Sequence, residues 1–134
     1  MFDEFKKELI EKNELQYGAE IREKYGDQVV EESNANLMGL SKEKYDESEQ
    51  FRLELEKTLL AAFNAGDPGS DIAQEACDLH RQWLSVFYPG YTKEYHRCMG
   101  ELYVSDERFR ANYDKLAPGC TDFFRDAINI YCKE

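Results

Sequence analysis

The sequence predicts an all-α protein of about six or seven helices, and three observations carry that prediction. Apolar residues recur at helical spacing, as in Phe51, Leu55, Leu59 and then Ala62 or Phe63. Glycine and proline turns at 66–69, 89–90 and 118–119 cut the chain into helix-length pieces. No stretch alternates apolar and polar residues with period two over a strand length, and there is no internal repeat or low-complexity tract.

Taken in order, residues 2–25 place Phe2, Phe5, Leu9 and Ile10, then Tyr17 and Ile21, on one helical face, with Gly26 as the stop. The stripe is thin. Pairs such as Glu8 with Lys12 and Glu20 with Lys24 add only a few tenths of a kcal/mol each, so this helix depends on packing against something else. Residues 27–40 read as a short helix followed by a loose connection around Ser33-Asn34-Ala35-Asn36. Ser41, with Glu43 in the first turn, caps a core helix that runs to the Gly66-Asp67-Pro68-Gly69 turn. Ser70 caps the next, whose inner face is Ile72, Ala76, Leu79 or His80, Trp83 and Phe87. After Pro89-Gly90, Thr92 caps a helix over 93–104 that turns Tyr95, Met99, Leu102 and Tyr103 inward. Ser105 and Asp106 offer a cap for a short helix with Phe109 and Tyr113. Pro118-Gly119 opens the last helix, with Pro118 in its first turn and Cys120, Phe123 or Phe124, Ala127, Ile128 and Tyr131 on its face.

A chain of 134 residues is the size of one domain with a single core. Its 28 acidic and 17 basic side chains leave a formal charge of −11, which repels a phosphate backbone. Nucleic-acid binding by this chain is therefore not expected. No run of eighteen apolar residues exists, and the first residues carry no signal-peptide pattern, so a cytoplasmic protein without a membrane partner is expected. Cys77, Cys98, Cys120 and Cys132 form no CxxC pair and read as reduced, packed thiols.

Between Leu79 and Phe109 the chain concentrates Trp83, Phe87, Tyr88, Tyr91, Tyr95, Tyr103 and both of its histidines. Apolar walls with a few orienting polar groups are the composition of a small-molecule site. The candidate wall is Trp83, Phe87, Tyr91, Tyr95, Tyr103, Phe109 and Tyr113, with His80, His96 and Arg97 as polar contacts; an ordinary aromatic-rich core is the competing reading. A metal site is disfavoured because His96 and Cys98, two apart, point to different sides of a helix. Haem is disfavoured because no CxxCH occurs. The acids sit where caps and solvated faces use them, and no phosphate-cradling glycine loop is present. Neither catalysis nor a cofactor is expected.

Several of these stretches together carry a resemblance. Asn13-Glu14, Tyr17-Gly18, Tyr25-Gly26, Gly66-Asp67-Pro68, Leu79-His80 with Trp83, the run Gly100-Glu101-Leu102-Tyr103-Val104-Ser105-Asp106-Glu107-Arg108-Phe109, Pro118-Gly119 and Arg125-Asp126-Ala127-Ile128 resemble the TipAS domain. That family is the antibiotic-recognition domain at the C-terminus of MerR-type regulators of the TipA class. The resemblance implies a globin-like helical fold over 1–134. It also implies a cleft for bulky, largely apolar drugs such as thiopeptides, and a segment, 1–40, that folds as a lid over a core at 41–134 when ligand arrives. It implies either a drug-sensing domain of a transcriptional regulator, with a DNA-binding domain in a longer form, or a stand-alone sequestering protein. Thiopeptide-trapping members carry a cysteine after the Tyr-Pro turn. Here that position is Tyr91 or Gly90, and Cys98, seven residues on, does not take over the role. A helical protein–protein interaction module without a small-molecule ligand is the alternative reading.

Overall fold

The computed structural model describes residues 1–15, 19, 22–23 and 26–133, apart from the side chains of Val29 and Ser33. Among the described residues there are seven helices and no strand: α1 Phe2–Asn13, α2 Asp27–Gly39, α3 Lys42–Ala65, α4 Asp71–Phe87, α5 Lys93–Ser105, α6 Glu107–Asp114 and α7 Cys120–Tyr131. The all-α expectation is met. Expectations resting on Tyr17, Gly18, Ile21 and Tyr25, and on the pairing of Glu20 with Lys24, lie outside the described residues.

The helix starts follow their caps. Ser41 Oγ accepts from the Lys44 amide, Ser70 Oγ from Ala73, Thr92 Oγ1 from Tyr95 and the Asp106 carboxylate from Arg108, so each start satisfies one of its orphan donors. α3 ends where Gly66 takes a left-handed φ of 88°. α7 begins one step later than expected: Pro118 lies outside it, and Gly119, at φ 87°, is the residue that turns the chain into the helix.

The core is built by α3, α4 and α7, with α5 against α7 and α6 closing the end. Leu55, Leu59 and Ala62 of α3, Ala73, Ala76 and Cys77 of α4, and Phe124, Ala127 and Ile128 of α7 are buried together. Phe124 thus holds the inward position that spacing alone left open, while Phe123 turns to an edge-on contact with Phe63 at 5.6 Å. α5 approaches α7 closely at Gly100, where a Cβ would stand 3.3 Å from Ile128 Cδ1.

α1 and α2 pack on each other, and α2 on α4. Two differences from the sequence reading occur here. The buried residue of α1 is Lys6, not an apolar one: it is 2% exposed, its Nζ donates to the carbonyls of Met38 at 2.6 Å and Leu40 at 2.9 Å, and it sits 4.7 Å from the Phe2 ring. An ammonium on the last carbonyls of α2 satisfies acceptors that the helix end leaves open and opposes its dipole. Nor does α2 loosen at Asn34–Asn36. It stays helical because Asn34 Nδ2 donates to Glu14, Asn36 Nδ2 donates to the Phe87 carbonyl at 3.1 Å, and Leu37 is buried.

Truncation of Phe124, a fully buried ring between α4 and α6, removes its contacts and leaves a cavity. Phe124→Ala is expected to lower stability by about 3–5 kcal/mol, read as a shift of the urea midpoint. Phe123→Ala, at the half-buried neighbour, should cost clearly less.

Candidate functional site

A cleft of about 350 Å³ opens between the α1–α2 pair and the core. α4 contributes Trp83, Leu84 and Phe87; α5 contributes Tyr95 and Met99; α3 contributes Tyr45, Ser48, Glu49 and Arg52; α1 and α2 close it with Leu9, Asn13, Asn34 and Leu37. Trp83 and Phe87, one helical turn apart, meet edge to face at 5.2 Å. Tyr95 is braced by Tyr88 at 4.7 Å, and burial pushes its phenol up to about 12.

The charges in the wall are spoken for. Arg52 Nε donates to Glu49 at 2.6 Å and Nη1 to Glu56 at 3.2 Å, and Lys115 lies 3.5 Å from Glu56. Ser48 Oγ donates to the Tyr45 carbonyl at 2.6 Å, and the Tyr45 hydroxyl donates to Glu49 at 3.4 Å. The cleft therefore offers aromatic and aliphatic surface with compensated polar groups, suited to an apolar, multi-ring molecule. Among the described residues no His or Cys lines it, and no three His, Cys, Asp or Glu side chains come together as a metal site.

Of the ten residues nominated from sequence, Trp83, Phe87 and Tyr95 stand in this wall. Four others form something else. The Tyr91 hydroxyl lies 2.7 Å from His96 Nδ1, His96 Nε2 lies 2.7 Å from His80 Nδ1, and His80 Nε2 lies 3.0 Å from the Tyr103 hydroxyl. This is a continuous buried hydrogen-bond chain from the α4–α5 loop through α5 and α4 and back to α5. The helical turn explains the split: on α4, His80 points toward α5 and α7 whereas Trp83 and Phe87 reach the rim. Phe109 and Tyr113 pack half-buried against the core beside Tyr103. Arg97 is exposed, because the residue after the buried His96 falls on the other side of α5.

Sequence reading missed the α3 wall. Its signal was present: Tyr45, Ser48, Glu49 and Arg52 follow one another at three- and four-residue spacing on one face. Their polarity made that face look solvated.

The histidine pair is the electrostatic oddity of the molecule. Both rings are fully buried. Burial first, and the neighbouring His96 second, hold His80 well below the ordinary histidine range; burial first, and the Arg81 guanidinium second, bring His96 down to about 4. Both are neutral at pH 7, so one proton lies between Nδ1 of His80 and Nε2 of His96 and the other bonds run in a matching direction. Either direction leaves each ring nitrogen partnered. No buried side-chain N or O among the described residues lacks a partner.

A model of the TipAS antibiotic-recognition domain matches residues 17–131. The chain belongs to the TipAS family. It is 36% identical over 115 residues to the HTH-type transcriptional activator TipA of Streptomyces coelicolor, covering 84% of this chain and 46% of that protein. It is 27% identical over 123 residues to the HTH-type transcriptional activator mta of Bacillus subtilis, covering 92% of this chain and 48% of that one. This TipAS chain thus spans about half the length of these regulators. The solved structure of TipAS from Streptomyces lividans in complex with nosiheptide, described as part of a thiopeptide antibiotic multidrug resistance system, aligns with a TM-score of 0.70 at 34% identity, over 89% of this chain and 85% of that one.

The buried histidines give this TipAS domain a distinctive acid response. Their folded-state affinities for protons are depressed below the unfolded value of 6.5, so the unfolded chain binds more protons as pH falls. The stability due to the neutral pair is fully present above pH 6.5 and is lost as pH drops from there toward 4. The loss approaches about 1.4 kcal/mol per pH unit for each histidine. Urea melts at pH 7, 6, 5 and 4.5 should show that decline in the wild type and a flatter profile in the double variant His80→Gln/His96→Gln.

Proposed function

We propose that this chain reversibly binds bulky, largely apolar antibiotics of the thiopeptide kind in the α1–α5 cleft. It does so as the drug-sensing domain of a transcriptional regulator when joined to a DNA-binding domain, or as a sequestering protein when made alone. The observation that carries the reading is the coincidence of an aromatic, charge-compensated cleft with the fold and sequence of a nosiheptide-bound relative. Trp83, Phe87 and Tyr95 are the ligand-facing aromatics, and Tyr45, Leu37 and Met99 complete the apolar contact.

Binding without covalent capture is supported by the loop after α4. The family position for a trapping cysteine falls on Tyr91 or Gly90, and the Tyr91 hydroxyl is engaged by His96. Catalysis has no support in the cleft: the hydroxyls of Ser48 and Tyr45 are committed to neighbouring acceptors, and burial pushes the Tyr95 phenol up to about 12. A regulator's effector domain works in the cytosol, and among the described residues no helix is long and apolar enough to cross a membrane.

A macrocyclic thiopeptide is larger than the cleft as it stands, so ligand entry requires the α1–α2 pair to lift. That pair is held to the core by the Asn36 bond to the Phe87 carbonyl, by Leu37 and by the Phe2 and Phe5 rings on Tyr45. These are few apolar contacts against the core, the signature of a segment that opens at low cost. Residues 1–40 then act as a lid, closing on bound drug.

Thermal melts with nosiheptide test the function. Saturating ligand at about a hundred times Kd should stabilise the native state by about 2.7 kcal/mol, and Trp83→Ala should weaken binding by about tenfold or more while altering stability far less than Phe124→Ala. If neither nosiheptide nor a panel of other thiopeptides raises the melting temperature, the reading fails and a protein partner should be sought. Amide exchange tests the lid: protection in α1 and α2 should lie below that of α3 and α7 in the free protein and rise on binding. Equal, high protection of all four helices without ligand would rule the lid out.

A further inference from the structure

The cleft has a second layer. Trp83, the chain's single tryptophan, faces the cleft on one side and on the other lies nearly parallel to His80, with ring centroids 6.0 Å apart and planes 13° apart. His80 is in turn bonded to His96. The pair is therefore the floor beneath the ligand-facing wall, although neither histidine touches the cleft.

We propose that His80 and His96 are positioning residues for ligand binding: as a neutral pair sharing one proton they seat the Trp83 indole in the cleft wall, and a further proton on the pair unseats it and weakens the hold on ligand. The inference rests on the proposed drug-binding role of the cleft.

The geometry supplies the coupling. Two neutral imidazoles can share one hydrogen across 2.7 Å, one ring donating and the other accepting. With one more proton the shared hydrogen bond survives, but a charge sits where no solvent reaches; with two, both nitrogens carry hydrogens and the contact breaks. Each step drives the pair to open. Around His80, Phe124 stands edge-on at 5.0 Å and is itself fully buried, and Tyr103 is held by the other ring nitrogen. Trp83 is the neighbour with the open cleft behind it, so relief comes on its side.

The charged and titratable surroundings do not offset the added charge. From α4, the Arg81 guanidinium raises the potential at His96. The α4–α5 loop offers Tyr91, α5 offers Tyr103, and the end of α7 offers Tyr131 and Cys132, all neutral, with burial pushing Tyr91, Tyr131 and Cys132 up. The nearest carboxylate in this group, Asp78, is held by the Tyr131 hydroxyl at 2.7 Å and by Arg81 at 3.1 Å.

The single tryptophan makes the test direct. In the free protein, Trp83 emission should change in a step as pH falls from about 6 toward 3.5, while helicity by circular dichroism holds, and the step should coincide with protonation of the imidazoles followed by their ¹⁵N shifts. His80→Gln/His96→Gln keeps donors and acceptors at both positions but cannot titrate, and should abolish the step. With nosiheptide as probe, affinity of the wild type should fall by about twofold between about pH 6 and 4, where about half of the pair takes up the further proton; the double variant should stay constant over that range, which also corrects for any titration of the drug. Emission that stays constant while the imidazoles protonate overturns the proposal, as does equal wild-type affinity at the two pH values, or a pH dependence that persists in the variant. Should the double variant not fold, His96→Gln alone, together with wild-type emission followed against the ¹⁵N shifts, separates the same two outcomes. Absence of nosiheptide binding at every pH, with the emission step present, counts against the proposed function and not against the seating of Trp83.

Discussion

The hydrogen bond between His80 and His96 is the constraint on which the arrangement of this domain turns. It joins α4 to α5 through long side chains, while the apolar core joins both helices to α7 beneath. A buried polar group must find its partner or cost a few kcal/mol, so the pair tolerates one relative placement of the two helices far better than any other. The same placement sets Trp83 and Phe87 of α4 across from Tyr95 and Met99 of α5.

The molecule is accordingly held by two kinds of force. Around Leu59, Ala76 and Phe124 the contacts are apolar and fully buried, and non-directional burial there contributes most of the stability. Across the α1–α2 pair the contacts are directional: the Lys6 ammonium on the carbonyls that end α2, Asn36 on the carbonyl that ends α4, and Arg22 bonded to Glu14 at 2.5 Å and to Asp27 at 3.2 Å. The solvent-facing ones among these exchange readily for water, whereas the buried Lys6 contact and the apolar core do not.

Much of this is legible in the sequence, and the failures have a common cause. Caps at Ser41, Ser70, Thr92 and Asp106 and the turns at Gly66 and Gly119 are local chemistry, so they can be read residue by residue. Apolar spacing likewise locates the faces of α3, α4 and α7. The errors lie where a polar residue is used inside. Lys6 takes the buried place on α1, Asn34 and Asn36 hold α2 helical, and the α3 wall of the cleft is polar. His80 falls on an apolar stripe, but its partner is sixteen residues away on another helix. Apart from the α3 wall, whose polar groups pair locally along the helix, each case is a tertiary pairing whose two halves are far apart in sequence, and periodicity records only one half at a time. The aromatic cluster divides for the same reason: Trp83, Phe87 and Tyr95 face the cleft, while Tyr91 and Tyr103 end a hydrogen-bond chain.

The division of forces bears on what the cleft can select. In the proposed opening, lifting the α1–α2 pair releases the Asn36 bond to the Phe87 carbonyl, which re-forms with water at small net cost, but uncovers the apolar surfaces of Leu37, Phe87 and Trp83, which must be covered again. A small or strongly polar molecule leaves that surface wet and gains little. A rigid multi-ring molecule covers it at once and loses little conformational freedom in doing so. Under the proposed lid, selection for large, stiff, apolar ligands follows from how the α1–α2 pair is fastened, without any single hydrogen bond having to recognise a particular drug. The charged wall residues on α3 reinforce it: Arg52 is already bonded to Glu49 and Glu56, and a charged ligand would have to break one compensated pair to make another.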